Sequence, residues 1–164
     1  PVLIYLLLLR KNPFDYLKVN KDVIKGLVWG IVVSLILVLV NVIGHFLANG
    51  YVRFNLNFSC DLWWKAVILV GFSEEVLFRG FILQKFSESI KFWQANIINS
   101  ILFTLIHFPG WIFLNQFIMP HIIQPIAFIF IFAFIQGFIF KKSNSLWACI
   151  IIHSVNNFLS FALI

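Results

Sequence analysis

A chain of 164 residues that is 62% hydrophobic and 11% charged, with a mean hydropathy of +0.99, carries too little polar surface to clothe a water-soluble globule. Its solvent is lipid, and at roughly 20 residues per crossing it has room for about five spanning helices and no sizeable soluble domain. The formal charge of +6 would suggest nucleic acid in a soluble protein, but membrane proteins gather Lys and Arg in cytoplasmic loops for topological reasons, so no nucleic-acid partner is expected.

The first apolar stretch, Pro1 to Leu9, would reach only about 14 Å as a helix, half of a ~30 Å hydrocarbon core. It is expected to be the tail of a truncated helix or a buried segment. A signal peptide fits less well, because Arg10 and Lys11 follow the apolar run instead of preceding it. Five stretches then have the length and polarity of spanning helices, at about residues 26–48, 62–84, 93–108, 122–140 and 146–164. The third is short: Pro109-Gly110 ends or kinks it, and the apolar 111–119 that follows either continues at an angle or re-enters the membrane. The expected fold is all-α, a polytopic transmembrane helical bundle forming a single membrane domain over 1–164.

An alternating path through five crossings puts Arg10, Lys11, Lys18, Lys21, Lys25, Lys85, Lys91, Lys141 and Lys142 on one side, and only Arg53 and Lys65 on the other. Arg79, the remaining basic residue, falls inside the second helix. That asymmetry assigns the basic side to the cytoplasm. Trp63, Trp64, Trp93, Trp111 and Trp147 fall near helix ends, where an aromatic belt places them. Cys60 and Cys149 start helices on opposite sides, too far apart for a disulfide.

Of the six acidic residues, only Glu74 and Glu75 fall well inside a spanning stretch, within Gly71-Phe-Ser-Glu-Glu-Val-Leu-Phe-Arg79-Gly80. Ionised groups there cost several kcal/mol unless paired, hydrated or protonated, which makes them functional candidates. Arg79 lies four residues after Glu75, on the same face, and can neutralise it. Glu74, rotated about 100° away, has no obvious partner. Phe103 precedes His107 by four residues, and Asn157 follows His153 by four, so each pair shares a face. Measured from the non-basic side, Glu74 lies roughly 12–18 Å deep, His107 roughly 9 Å and His153 roughly 20 Å, which lets all three meet at one polar mid-membrane cavity. His45 and His121 lie near helix ends and are set aside as interfacial. Phe103 is expected to shape the site, Cys149 to be a small buried residue, and the Phe-rich 128–140 to be lipid-facing and packing surface.

Glu-Glu-x-x-x-Arg, Phe-x-x-x-His and His-x-x-x-Asn, in that order on three helices, resemble the CPBP (Abi) family of intramembrane endopeptidases, related to type II CAAX prenyl proteases and bacteriocin-immunity proteins. The resemblance covers about residues 62–164 as a catalytic core, while the N-terminal helices of typical members are short or missing. It implies that Glu74 is the general base, that His107 helps orient the water, and that His153 and Asn157 donate to the oxyanion. Such donors are worth roughly 3–4 kcal/mol each in other proteases. Glu75 and Arg79 would form the supporting ion pair, and no metal would be needed.

A zinc-dependent peptidase remains a second reading, because Glu74, His107 and His153 would supply three ligands and leave a fourth position open; no His-Glu-x-x-His signature supports it. The resemblance also admits bacteriocin self-immunity or a membrane scaffold without turnover. A proton-coupled transporter would use intramembrane Glu and His as readily, though no inverted repeat or paired broken helices are visible. The expected partners are a peptide or membrane-protein substrate and the lipid bilayer. The Ile-, Phe-, Asn- and Lys-rich composition leans towards a bacterial plasma membrane.

Overall fold

The computed structural model describes residues 2–57 and 59–164. A short helix α1 (Val2–Leu8) and a single turn α2 (Pro13–Tyr16) precede the long α3 (Val23–Asn49). A continuous helical run from Cys60 to Ser87 follows, in which α4 (Cys60–Leu62), α5 (Val70–Leu77) and α6 (Gln84–Ser87) are separated by π-helical segments at Trp63–Leu69 and Phe78–Leu83. The chain ends with α7 (Phe92–Leu105), α8 (Phe108–Phe113), α9 (Ile123–Ser143) and α10 (Leu146–Ala162). Among the described residues there is no strand; an isolated antiparallel bridge joins Phe54 to Leu163.

The helical membrane bundle expected from composition is the observed architecture. Val23–Asn49, Phe92–Phe113 and Ile123–Ser143 are long and apolar enough to cross a membrane, and Leu146–Ala162 is a shorter apolar helix. The break expected at Pro109-Gly110 falls slightly earlier. Helix α7 stops at Leu105, and His107 sits at the junction with α8, which carries proline in its first turn. Pro109 has no N–H to give the Leu105 carbonyl four residues back, and its ring clashes with that carbonyl, so α7 stops there, while proline is tolerated in the first turn of α8.

Why α3 packs where it does is visible in its small residues. Gly26, Gly30 and Ser34 recur every fourth position and are its buried residues, while Ile24, Leu35, Val40 and Leu47 face outward, each more than half exposed. A methyl group on Gly26 would come within 2.5 Å of the Ser145 hydroxyl oxygen, and one on Gly30 within 3.0 Å of Ile151. The stripe therefore lets the backbones of α3 and α10 approach closely, the usual basis of helix association in lipid, where burying apolar surface gains nothing over the acyl chains.

Contacts gather the loops at two ends of the bundle. At the basic end, Asn144 donates to Asp22 at 2.6 Å, Lys11 pairs with Glu88 at 3.7 Å, and the Leu146 amide donates to the Lys18 carbonyl at 3.1 Å. At the opposite end the Asn55 amide donates to the Ala162 carbonyl and the Ile164 amide to the Arg53 carbonyl.

Candidate active site

Helix α5 carries Glu74 and Glu75 between the two π segments, and π-bulges recur at functional sites because the wider turn re-aims side chains and frees carbonyls. The freed groups are used: Asn157 on α10 donates to the Ala66 carbonyl at 3.0 Å, and Gln84 to the Gly80 carbonyl at 2.6 Å. At Gly71 an added methyl would meet the Ser154 hydroxyl at 3.1 Å. This close approach of α5 to α10, one helical turn before Glu75, brings the carboxylates to His153.

Glu75 points into the protein. Its Oε1 accepts from Arg79 Nη1 at 2.7 Å and from His153 Nδ1 at 2.7 Å, and both Glu75 and Arg79 are 0% exposed. The i, i+4 pair expected from sequence is therefore formed. The guanidinium also donates from Nη2 to the Ala133 carbonyl at 3.1 Å and lies 4.5 Å over the ring of Phe103. Charge, hydrogen bonds and a π face together repay the desolvation of a buried cation.

Phe103 is the hub of this arrangement. Its ring meets Phe78 edge-on at 5.0 Å, His107 at 5.2 Å and His153 at 5.8 Å, so it fixes both imidazoles relative to Arg79. His107 donates from Nδ1 to the Phe103 carbonyl at 2.9 Å, because a carbonyl can only accept. His153 likewise donates from Nδ1 to Glu75. In both rings Nε2 is the nitrogen left for chemistry.

Glu74 is placed differently. Its side chain is 22% exposed, with Oε2 at 3.8 Å from His153 Nε2, too long for a hydrogen bond. That oxygen is buried and has no hydrogen-bond partner. A cavity of about 270 Å³ opens beside it, lined by His107, His153, Asn156, Asn157 and Ser160 with the aromatic walls Phe103, Trp111, Phe128 and Phe132. Glu74 is not a lining residue; it borders the cavity through His153.

Several features were not expected. Phe132 lies inside the bundle against His153, ring centroids 5.8 Å apart and edge-on, which puts the packing side of the 128–140 segment next to the candidate site. Trp111, expected as an interface anchor, lines the cavity and packs on His107 at 5.9 Å. Gln136, Asn96 and Asn99 are fully buried within helices and were missed. A polar residue inside an apolar helix was the available signal, and at Gln136 it marks the inward face of α9 that also carries Phe132. Cys149 is buried as expected, with Gln136 donating to its carbonyl at 3.1 Å.

The geometry does not suit a tetrahedral zinc site. Among the described residues no group of three or more His, Cys, Asp or Glu side chains is placed to hold a metal ion.

Fold and site define an intramembrane helical bundle built around a carboxylate–imidazole cluster. Residues 56–159 match the family of type II CAAX prenyl endopeptidase Rce1-like proteins, and the chain belongs to that family. Comparison with curated proteins and with solved structures finds no match to either.

Proposed function

We propose that the protein is an intramembrane endopeptidase of the bacterial plasma membrane, which cleaves a peptide or membrane-protein substrate with a water activated by Glu74. The observation that carries this reading is the contrast between the two carboxylates: Glu75 is fully buried with Oε1 held by Arg79 and His153 at 2.7 Å each, while the Glu74 side chain is 22% exposed. Each carboxylate keeps an Oε2 without a hydrogen-bond partner, but only Glu74 is open enough to meet a water.

In the reaction Glu74 takes a proton from water as the oxygen attacks the scissile carbonyl carbon. The C=O electron pair moves onto oxygen, giving a tetrahedral oxyanion. The C–N bond then breaks, and the proton held on Glu74 passes to the departing amine. His107, with Nδ1–H fixed on the Phe103 carbonyl, presents Nε2 as an acceptor that orients the water. His153 reaches the oxyanion from Nε2 only when both ring nitrogens are protonated, since Nδ1 already donates to Glu75. Asn157 keeps one amide N–H for the oxyanion while the other holds Ala66. Glu75 and Arg79 are positioning residues, acting through His153 and Phe103.

The test is cleavage of a fluorogenic peptide library by detergent-purified protein, with Glu74→Gln alongside. General-base loss predicts a fall in kcat of about 10²–10⁴-fold with unchanged thermal unfolding. Equal cleavage by wild type and variant would overturn the assignment of Glu74. A chelator that abolishes turnover, with restoration by Zn²⁺, would overturn the metal-free mechanism.

A further inference from the structure

At the basic end of the bundle, away from the candidate active site, a crevice of about 240 Å³ is lined by Lys18 and Lys141, with Gln84 and Ser87 as its polar lining and Phe92 and Phe140 among its walls. The Lys18 ammonium lies 5.0 Å over the Phe140 ring, and that of Lys141 lies 4.2 Å over Phe92. Among the described residues Lys11, Lys65 and Lys85 each have a carboxylate within 3.7 Å. Lys18 and Lys141 are in no such pair, and no carboxylate lines the crevice. The acid that acts on the Lys18 charge is Asp22, whose Oδ2 already accepts from Asn144 at 2.6 Å.

Lys18 is held there at a cost. Its φ of 57° is left-handed, a conformation unfavourable for a side chain without a short polar group to bond locally. The loop is fixed on both sides: the Leu146 amide donates to the Lys18 carbonyl, and Trp147 Nε1 donates to the Val19 carbonyl at 2.8 Å. Burial, and secondarily the charge of Lys21, push the Lys18 ammonium down from its ordinary pKa. A bound anion would relieve both. Two fixed cations facing one small crevice at the cytoplasmic boundary of the bundle, where lipid phosphates lie, form a site for a tetrahedral anion.

We propose that this crevice binds a phosphate group, carried by an anionic phospholipid head group or present as free phosphate. The full-length chain is purified from membranes, exchanged into micelles containing phosphatidylglycerol, and retained lipid is counted by native mass spectrometry. Lys141→Gln and Lys18→Asn are each expected to lower retention about fivefold. Lys25→Gln and Lys91→Gln, which remove charge at the same end but outside the crevice, are expected to leave it unchanged. Asparagine tolerates left-handed backbone, so Lys18→Asn removes the charge without loss of fold, and thermal unfolding checks this. Excess inorganic phosphate separates the sources: displacement of the lipid means the site takes free phosphate, and persistence of the lipid means it needs the head group. Equal retention by wild type and the Lys18→Asn/Lys141→Gln protein, or equal loss in the two control variants, would overturn the proposal.

Discussion

The two sides of α5 use the same residue type for opposite ends. On the inward side Glu75 Oε1 takes two short charge-assisted bonds, from Arg79 and His153, and the guanidinium is capped by Phe103 and the Ala133 carbonyl. On the other side Glu74, one residue earlier, has His153 Nε2 no closer than 3.8 Å and a side chain 22% exposed, against 0% for Glu75. The 100° rotation between neighbours in a helix is enough to give one carboxylate a structural environment and the other an open one. Environment, rather than residue identity, divides the labour.

The sharpest way to break that comparison is to exchange the losses. Arg79→Met leaves the buried Glu75 without its closest cation, and removing one partner of a buried pair costs about 3–5 kcal/mol. We expect Arg79→Met to lower the thermal unfolding temperature markedly and to abolish turnover with it, whereas Glu74→Gln loses turnover alone. Arg79→Lys should not restore the fold, because a lysine cannot bond Glu75 and the Ala133 carbonyl in one plane while stacking on Phe103. Unfolding of Glu74→Gln at the temperature of Arg79→Met would erase the distinction between the two sides.

The inward pair was legible in the sequence because i, i+4 spacing fixes a shared face wherever the helix is regular, and α5 is regular from Val70 to Leu77. The pairing of Phe103 with His107, and of His153 with Asn157, was legible from the same i, i+4 spacing. What connects the helices was not. That His153 turns Nδ1 to Glu75, that Asn157 reaches the Ala66 carbonyl, and that Phe132 packs on His153 depend on the rotation of α10 and α9 about their axes, and a near-uniformly apolar helix such as α9 carries little periodic signal to set it. The π segments around α5 have no signature in residue type at all, yet they decide which carbonyls are free for Asn157 and Gln84.

A smaller effect sharpens the comparison from the lipid side. Gly30→Leu inserts a side chain where a single methyl already lies 3.0 Å from Ile151, and overpacking of this kind costs about 1–3 kcal/mol. Because α3 meets α10 on the face holding Gly30 and not through His153, the expected outcome is a lower unfolding temperature with kcat kept in the fraction that stays folded. A collapse of kcat without a change in stability would mean that α3 contributes to the site rather than supporting it.

The smallest expected effect lies at the basic end of the bundle, where Glu88 accepts from Lys85 at 2.7 Å and from Tyr16 at 3.0 Å. The bond from Lys85, then that from Tyr16, hold its carboxyl below the ordinary value. A depressed folded-state pKa contributes stability that is present above the unfolded pKa of about 4.3 and is lost as pH falls through the folded value. With about two fifths of each partner's side chain exposed, solvent screens the interaction to well under about 1 kcal/mol. Glu88→Gln should therefore unfold slightly below wild type near neutral pH, and the gap should close below about pH 4. A gap that persisted into acid would mean that Glu88 anchors α2 through its neutral hydrogen bond to Tyr16 rather than through charge. This latch would then resemble the uncharged clasp of Gln84 on the Tyr16 carbonyl more than the buried ion pair behind α5.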